Sequence, residues 1–152
     1  MHTVSAERTP RQRWMAVLAR ADAATLREAL ATAPALPAYT RLRGPELGLV
    51  MTQGRAGGGG GAFNLGEMTV VRCTVRTEDG LTGHATVAGR STEQAELAAV
   101  LDAALQAPAR QGALLAAVID PLAQAQAERR KATAERAAAT RVQFFTMATM
   151  RA

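Results

Sequence analysis

The chain has 152 residues, enough for one domain with or without an extension, and 48% of them are hydrophobic, although Trp14, Tyr39, Phe63, Phe144 and Phe145 are its only aromatics. Its formal charge is +5, and because Lys131 is the only Lys, nearly all the positive charge sits on guanidinium groups, which suit bidentate contacts with carboxylates or phosphates. A single Cys73 excludes an intrachain disulfide framework, the distant His2 and His84 exclude zinc-site spacing, and no apolar run approaches the roughly 18 residues of a membrane span, so the cytoplasm is the expected location.

Thr9-Pro10-Arg11-Gln12 reads as a capping box with Pro at the first helical position, and Trp14, Val17, Leu18 and Ala21 follow at helical spacing. Asp22 caps a second helix carrying Leu26, Ala29 and Leu30, which must stop before Pro34 and Pro37. From Tyr39 to Val87 the period changes to two. Leu47, Leu49 and Met51 share one face, and Val71, Cys73 and Val75 alternate with Arg72, Thr74 and Arg76, so strands are expected. Glu78-Asp79-Gly80 supplies turn chemistry, which makes Met68 to Val87 an antiparallel hairpin with His84 facing outward beside Thr82 and Thr86.

Ser91-Thr92-Glu93-Gln94 reads as another capping box, opening a helix with Leu97, Ala98, Leu101, Ala104 and Leu105 as its stripe and an end near Pro108. That helix is expected to cover one face of the sheet. The fold class is therefore α+β, an antiparallel sheet packed against helices, with an α+β domain over 1–110 and a helical extension over 111–152. Leu115, Val118, Ile119 and Leu122 form a further stripe. Ala123 to Ala139 has high helix propensity but no bulky apolar residue, so a long Ala-rich helix is expected there, followed by an apolar endpiece, Val142 to Met150, suited to anchoring on a partner. Because Ala buries little area, the isolated chain should be marginally stable and should benefit from partners.

The Gly57 to Gly61 run, preceded by Gly54 and Arg55, would let backbone N–H groups approach a phosphate. It lacks the Gly-Lys-Ser/Thr of a Walker A loop and lies between strands, so a flexible connection is the competing reading. His84 has only Thr82 and Thr86 as same-face neighbours and reads as a surface residue. Cys73 reads as core. Glu93 and Glu96 lie opposite the helix stripe and read as solvated. No nucleophile, base, metal or paired-acid constellation emerges from these residues.

Several strings together resemble the G subunit family of the carbon–phosphorus lyase system. They are Arg11 to Ala21 (RQRWMAVLARA), Gly48 to Val75 with its Gly-rich run, Asp79-Gly80, Gly83, Val87, Gly89-Arg90, Ala95-Glu96, Asp102, and the closing Arg141 to Met147 (RVQFFTM). The resemblance implies a cytoplasmic complex with the H, I and J subunits, joined functionally by the K and L subunits. It implies an accessory part in alpha-D-ribose 1-methylphosphonate 5-triphosphate synthase, a transferase that couples methylphosphonate to the ribose of ATP and releases adenine. It carries over no catalytic residue. No cofactor is expected on this chain alone, ATP being a substrate of the complex. Candidate contacts to anionic groups or partners are Arg55, Gly57, Gly58, Gly60, Arg72, Arg90, Arg141, Phe144 and Phe145, with plain structural packing as the alternative for each Arg. The competing function is a small basic nucleic-acid-binding module, which would need a contiguous basic face with interleaved aromatics.

Overall fold

A computed structural model of the chain describes residues 8–55 and 61–140. The helix starts follow local chemistry. Thr9 Oγ1 accepts the Gln12 N–H at 3.3 Å, Gln12 Oε1 accepts the Thr9 N–H at 2.8 Å, and Pro10 opens α1 (Pro10–Leu18), whose Trp14 and Leu18 are buried. Asp22 accepts the Thr25 N–H at 2.8 Å and starts α2 (Ala23–Ala31), which buries Leu26. Ser91 accepts the Gln94 N–H at 3.2 Å and starts α3 (Thr92–Leu105). The expected capping box closes only halfway there. Gln94 is buried and its amide is drawn to the Ala19 carbonyl, 3.4 Å away, so a tertiary partner outcompetes the local one.

Three antiparallel strands, β1 (Tyr39–Gly54), β2 (Phe63–Thr77) and β3 (Thr82–Ala88), make one sheet in the order β1-β2-β3. The β2–β3 turn uses Gly80 at φ 83°, a left-handed conformation that L side chains resist, and the register sets Val71 opposite Val87, Cys73 opposite Ala85 and Val75 opposite Gly83. These residues form the core face, and α3 lies across it with Leu101 and Leu105 fully buried. Contact is so close that a Cβ at Gly83 would overlap the Ala99 carbonyl oxygen and the Ala103 backbone nitrogen. The helix rides directly on the β3 backbone.

Past α3, three segments run on as one rod: α4 (Pro108–Leu114), a π-turn (Leu115–Ile119) and α5 (Asp120–Ala139). Arg110 ties α4 to the β2–β3 turn through Asp79 at 2.6 Å. Pro121 has no N–H, and the Asp120 N–H reaches back to the Leu115 carbonyl, five residues earlier, which widens the turn. The expected stripe therefore shifts. Leu114 is buried with Val118, Ile119 and Leu122, while Leu115 is only half-buried, because a spacing of four residues returns to the same face of a widened turn. Leu122 is the last buried residue of α5, the long Ala-rich helix that composition predicts. No helix among the described residues is long and apolar enough to cross a membrane.

Alternation places Leu47, Leu49 and Met51 on one face as expected, Leu47 standing opposite the buried Val71. The covering helix, however, ends short of them. β1 has no buried residue and β2 has none before Val70, so the outer halves of both strands form an arm that leaves the core.

Candidate functional site

The one fully buried carboxylate among the described residues is Asp102, in the last turn of α3. An isolated ionised carboxylate is costly inside an apolar layer, so its partners decide whether the fold tolerates it. It has four donors. Oδ1 accepts from Arg11 Nε at 3.1 Å and from Trp14 Nε1 at 2.9 Å, and Oδ2 accepts from Arg11 Nη2 at 2.7 Å and from the His84 backbone N–H at 3.0 Å. The last of these belongs to an edge strand and faces away from β2, where no other strand meets it. One turn along α3, Gln106 Nε2 donates to the Thr82 carbonyl at 2.9 Å and occupies the next outward backbone group of the same edge. The hydrogen bond to Asp102 raises the Arg11 pKa above its usual value despite partial burial. With both its oxygens engaged, Asp102 acts as a joint between α1, α3 and β3 and does not present a free base.

A second carboxylate on α3 plays a similar part at β1. Glu96 accepts Arg41 Nε at 2.7 Å, Arg41 Nη2 at 2.9 Å and the Tyr39 hydroxyl at 2.8 Å, and its side chain is only 15% exposed. The solvated role expected for Glu96 is thus corrected, since a partner from a strand more than fifty residues away turns it into a bidentate pair. The Arg41 hydrogen bond, helped by Tyr39 and opposed by burial, holds the Glu96 carboxyl below its usual range. Glu93 does stay half-exposed, beside Arg27 at 2.9 Å.

Cys73 is buried and burial pushes its thiol pKa up, which suits an inert core position. The His84 side chain is exposed, with Nδ1 3.1 Å from Thr74 Oγ1 across the strand pair, and among the described residues no carboxylate is hydrogen-bonded to its ring. Among the described residues no three His, Cys, Asp or Glu side chains gather in a way that would hold a metal. Two modest cavities flank α1, one of about 270 Å³ against His84 to Val87 and one of about 340 Å³ against Leu115 and Ile119.

Of the candidate contact residues, Arg72 lies on the open face of the sheet, half-buried, with its guanidinium over Gly48. Arg90 is exposed just after Gly89, whose φ is 101°, and Arg55 is exposed just past the end of β1. Arg72 faces Glu46, nine residues before Arg55, so these two Arg residues are separated by roughly 30 Å of extended strand and do not converge on one small ligand. Gly57, Gly58, Gly60, Arg141, Phe144 and Phe145 lie outside the described residues.

The sequence profile of the phosphonate metabolism protein PhnG family matches residues 9–150. This chain belongs to the PhnG family. A relative from Rhizobium meliloti (strain 1021), alpha-D-ribose 1-methylphosphonate 5-triphosphate synthase subunit PhnG, is 44% identical over 137 residues, covering 90% of this chain and 87% of that protein. Several residues that carry the resemblance to the family have structural work in this fold. Arg11, Trp14 and Asp102 form the buried joint, Gly83 admits α3, Gly80 makes the hairpin turn, and Glu96 holds β1. The buried joint was invisible as a unit in the sequence; its one local sign is an Asp set between Leu101 and Leu105 on an apolar stripe.

Proposed function

We propose that this chain is an accessory subunit of alpha-D-ribose 1-methylphosphonate 5-triphosphate synthase, needed when methylphosphonate is joined to the ribose of ATP and adenine leaves. The observation that carries this reading is the 44% identity, across nine-tenths of the chain, to a protein described as a subunit of that synthase. On this reading it works in the cytoplasm within a carbon–phosphorus lyase assembly containing the H, I and J subunits, with the K and L subunits associated functionally. ATP is a substrate of the whole, and this chain brings no cofactor.

The geometry supports an assisting part. Among the described residues, each of the two carboxylates with buried or nearly buried oxygens holds structural partners, and no acid is bonded to the exposed His84 ring to polarise it. A nucleic-acid-binding role fits less well. Arg72 and Arg76 sit among Thr residues on the open sheet face, whereas Trp14 is buried and bonded to Asp102, the Tyr39 hydroxyl is bonded to Glu96, and Phe63 lies out at the strand tip, so among the described residues no aromatic is interleaved with that charge.

Reconstitution tests the proposal. Adenine release from ATP and methylphosphonate should require the sister subunits together with this chain, and omission of this chain should abolish it. Turnover by the purified chain alone, or full turnover without it, would overturn the assignment.

A further inference from the structure

The arm formed by the outer halves of β1 and β2 carries large exposed apolar side chains on both sides, with Glu67 opposite Met51 as the charged residue among them. On one face Leu47 and Leu49 are each 58% exposed and Met51 is 54% exposed, continuing the row that α3 covers farther down. On the other face Met68 is 41% exposed opposite Val50, and toward the tip Phe63 and Leu65 are 48% and 62% exposed. A two-stranded ribbon in water is marginal on its own, and a cluster of large exposed side chains of this size marks a contact surface.

We infer that the arm is inserted into an apolar cleft on a sister subunit of the synthase, with a carboxylate of that subunit facing Arg72 at its base; this rests on the proposed function. Three features favour such an occupant. Its two faces, each about 30 by 10 Å, offer roughly 600 Å², near the ~800 Å² per partner of a standard interface. Because the apolar residues lie on opposite faces, a flat surface or a symmetric copy stacked on one side leaves the other side wet, and the cavities beside α1, about 270 and 340 Å³, are too small to take another copy's arm. Charge completes the case. Arg41 and Arg43 are neutralised by Glu96 and Glu46, whereas no carboxylate forms an ion pair with Arg72 among the described residues, so the base of the arm keeps a positive charge that calls for an acidic group on the rim.

The test uses the full chain with the purified remaining subunits. Leu49→Asp with Met51→Asp should leave the thermal melt of the free chain unchanged, since neither side chain is in the core, and should weaken co-purification with the sister subunits at least a hundredfold. Arg72→Glu should weaken it less and blunt its salt dependence. Hydrogen exchange of the wild-type chain supplies a readout without mutation: amides of residues 47–51 and 65–68 should slow on assembly. Wild-type assembly with an unaffected double variant, or arm amides that exchange equally fast in the free and assembled chain, would overturn the arm assignment while leaving the subunit reading intact. Failure of the wild-type chain to join any sister subunit would remove both. A variant that only converts a homodimer to a monomer would show that the occupant is a second copy.

Discussion

The indole of Trp14 and the carboxylate of Asp102 meet at 2.9 Å across 88 residues of sequence, and the same carboxylate takes the Arg11 guanidinium one turn earlier on α1. That contact joins the first helix to the helix over the sheet. Asp102→Ala should therefore cost about 3 to 5 kcal/mol, because it leaves the Arg11, Trp14 and His84 donors without their acceptor. Urea unfolding monitored by Trp14 fluorescence measures it, and a loss under 1 kcal/mol would mean that the donors find other partners.

Gly83→Ala should be nearly as damaging despite adding only a methyl group. The new Cβ meets helix backbone, which cannot rotate away, so α3 must lift from β3 at a cost of about 3 kcal/mol or more. Gly112 is the matching control. It lies within α4 with nothing within 4 Å of an added Cβ, so Gly112→Ala should stabilise the chain by about 0.5 to 1 kcal/mol. Thermal melts of the two variants should move in opposite directions.

Acid should weaken the hold on β1. The Glu96 carboxyl in the fold lies below its ordinary value of 4.5, so the stability it contributes is complete above that pH and is lost as pH falls through the lower folded value. The stability difference between wild type and Glu96→Gln should be constant from neutral pH down to about 5 and should narrow below it. A difference that widens on acidification would contradict the sign of the shift.

Much of the fold was legible because its causes are local. The Thr9 box, the Asp22 and Ser91 caps and the Gly80 turn each need only residues a few positions apart, and alternation along Val71, Cys73 and Val75 marks the buried face directly. What was not legible depends on distant partners. Glu96 looks like a solvated acid until β1 arrives beside it, the partners of Asp102 come from α1 and β3, and the change from Leu115 to Leu114 depends on the turn that Pro121 widens. Alternation also reveals that Leu47, Leu49 and Met51 share a face without revealing where the covering helix stops. The candidate Arg residues are hard to read for the same reason, since spacing in sequence does not tell that Arg55 and Arg72 end up far apart along the strands.

The closing segment gives a prediction from composition alone. Val142, Phe144, Phe145 and Met147 concentrate late apolar residues after a helix that has almost none. Replacing both Phe144 and Phe145 with Ala should leave a folded chain by circular dichroism that co-purifies poorly with its sister subunits, at a cost of several kcal/mol in binding. Outright unfolding would assign the pair to this chain's own core, and normal assembly would discount the segment as an anchor.

α5 is also a spacer of set length. Its last hydrogen bond to another element among the described residues is from Gln126 to the Val17 carbonyl at 2.9 Å, and from there it continues to Ala139 for roughly 20 Å at helical rise. Arg136 near its far end is thereby presented well away from the sheet, so one small chain touches its surroundings at separated points. Inserting one helical turn in that span would move the far end by about 6 Å and swing it by about 40° while leaving the core as it is, which makes the helix a ruler whose gradations are single residues.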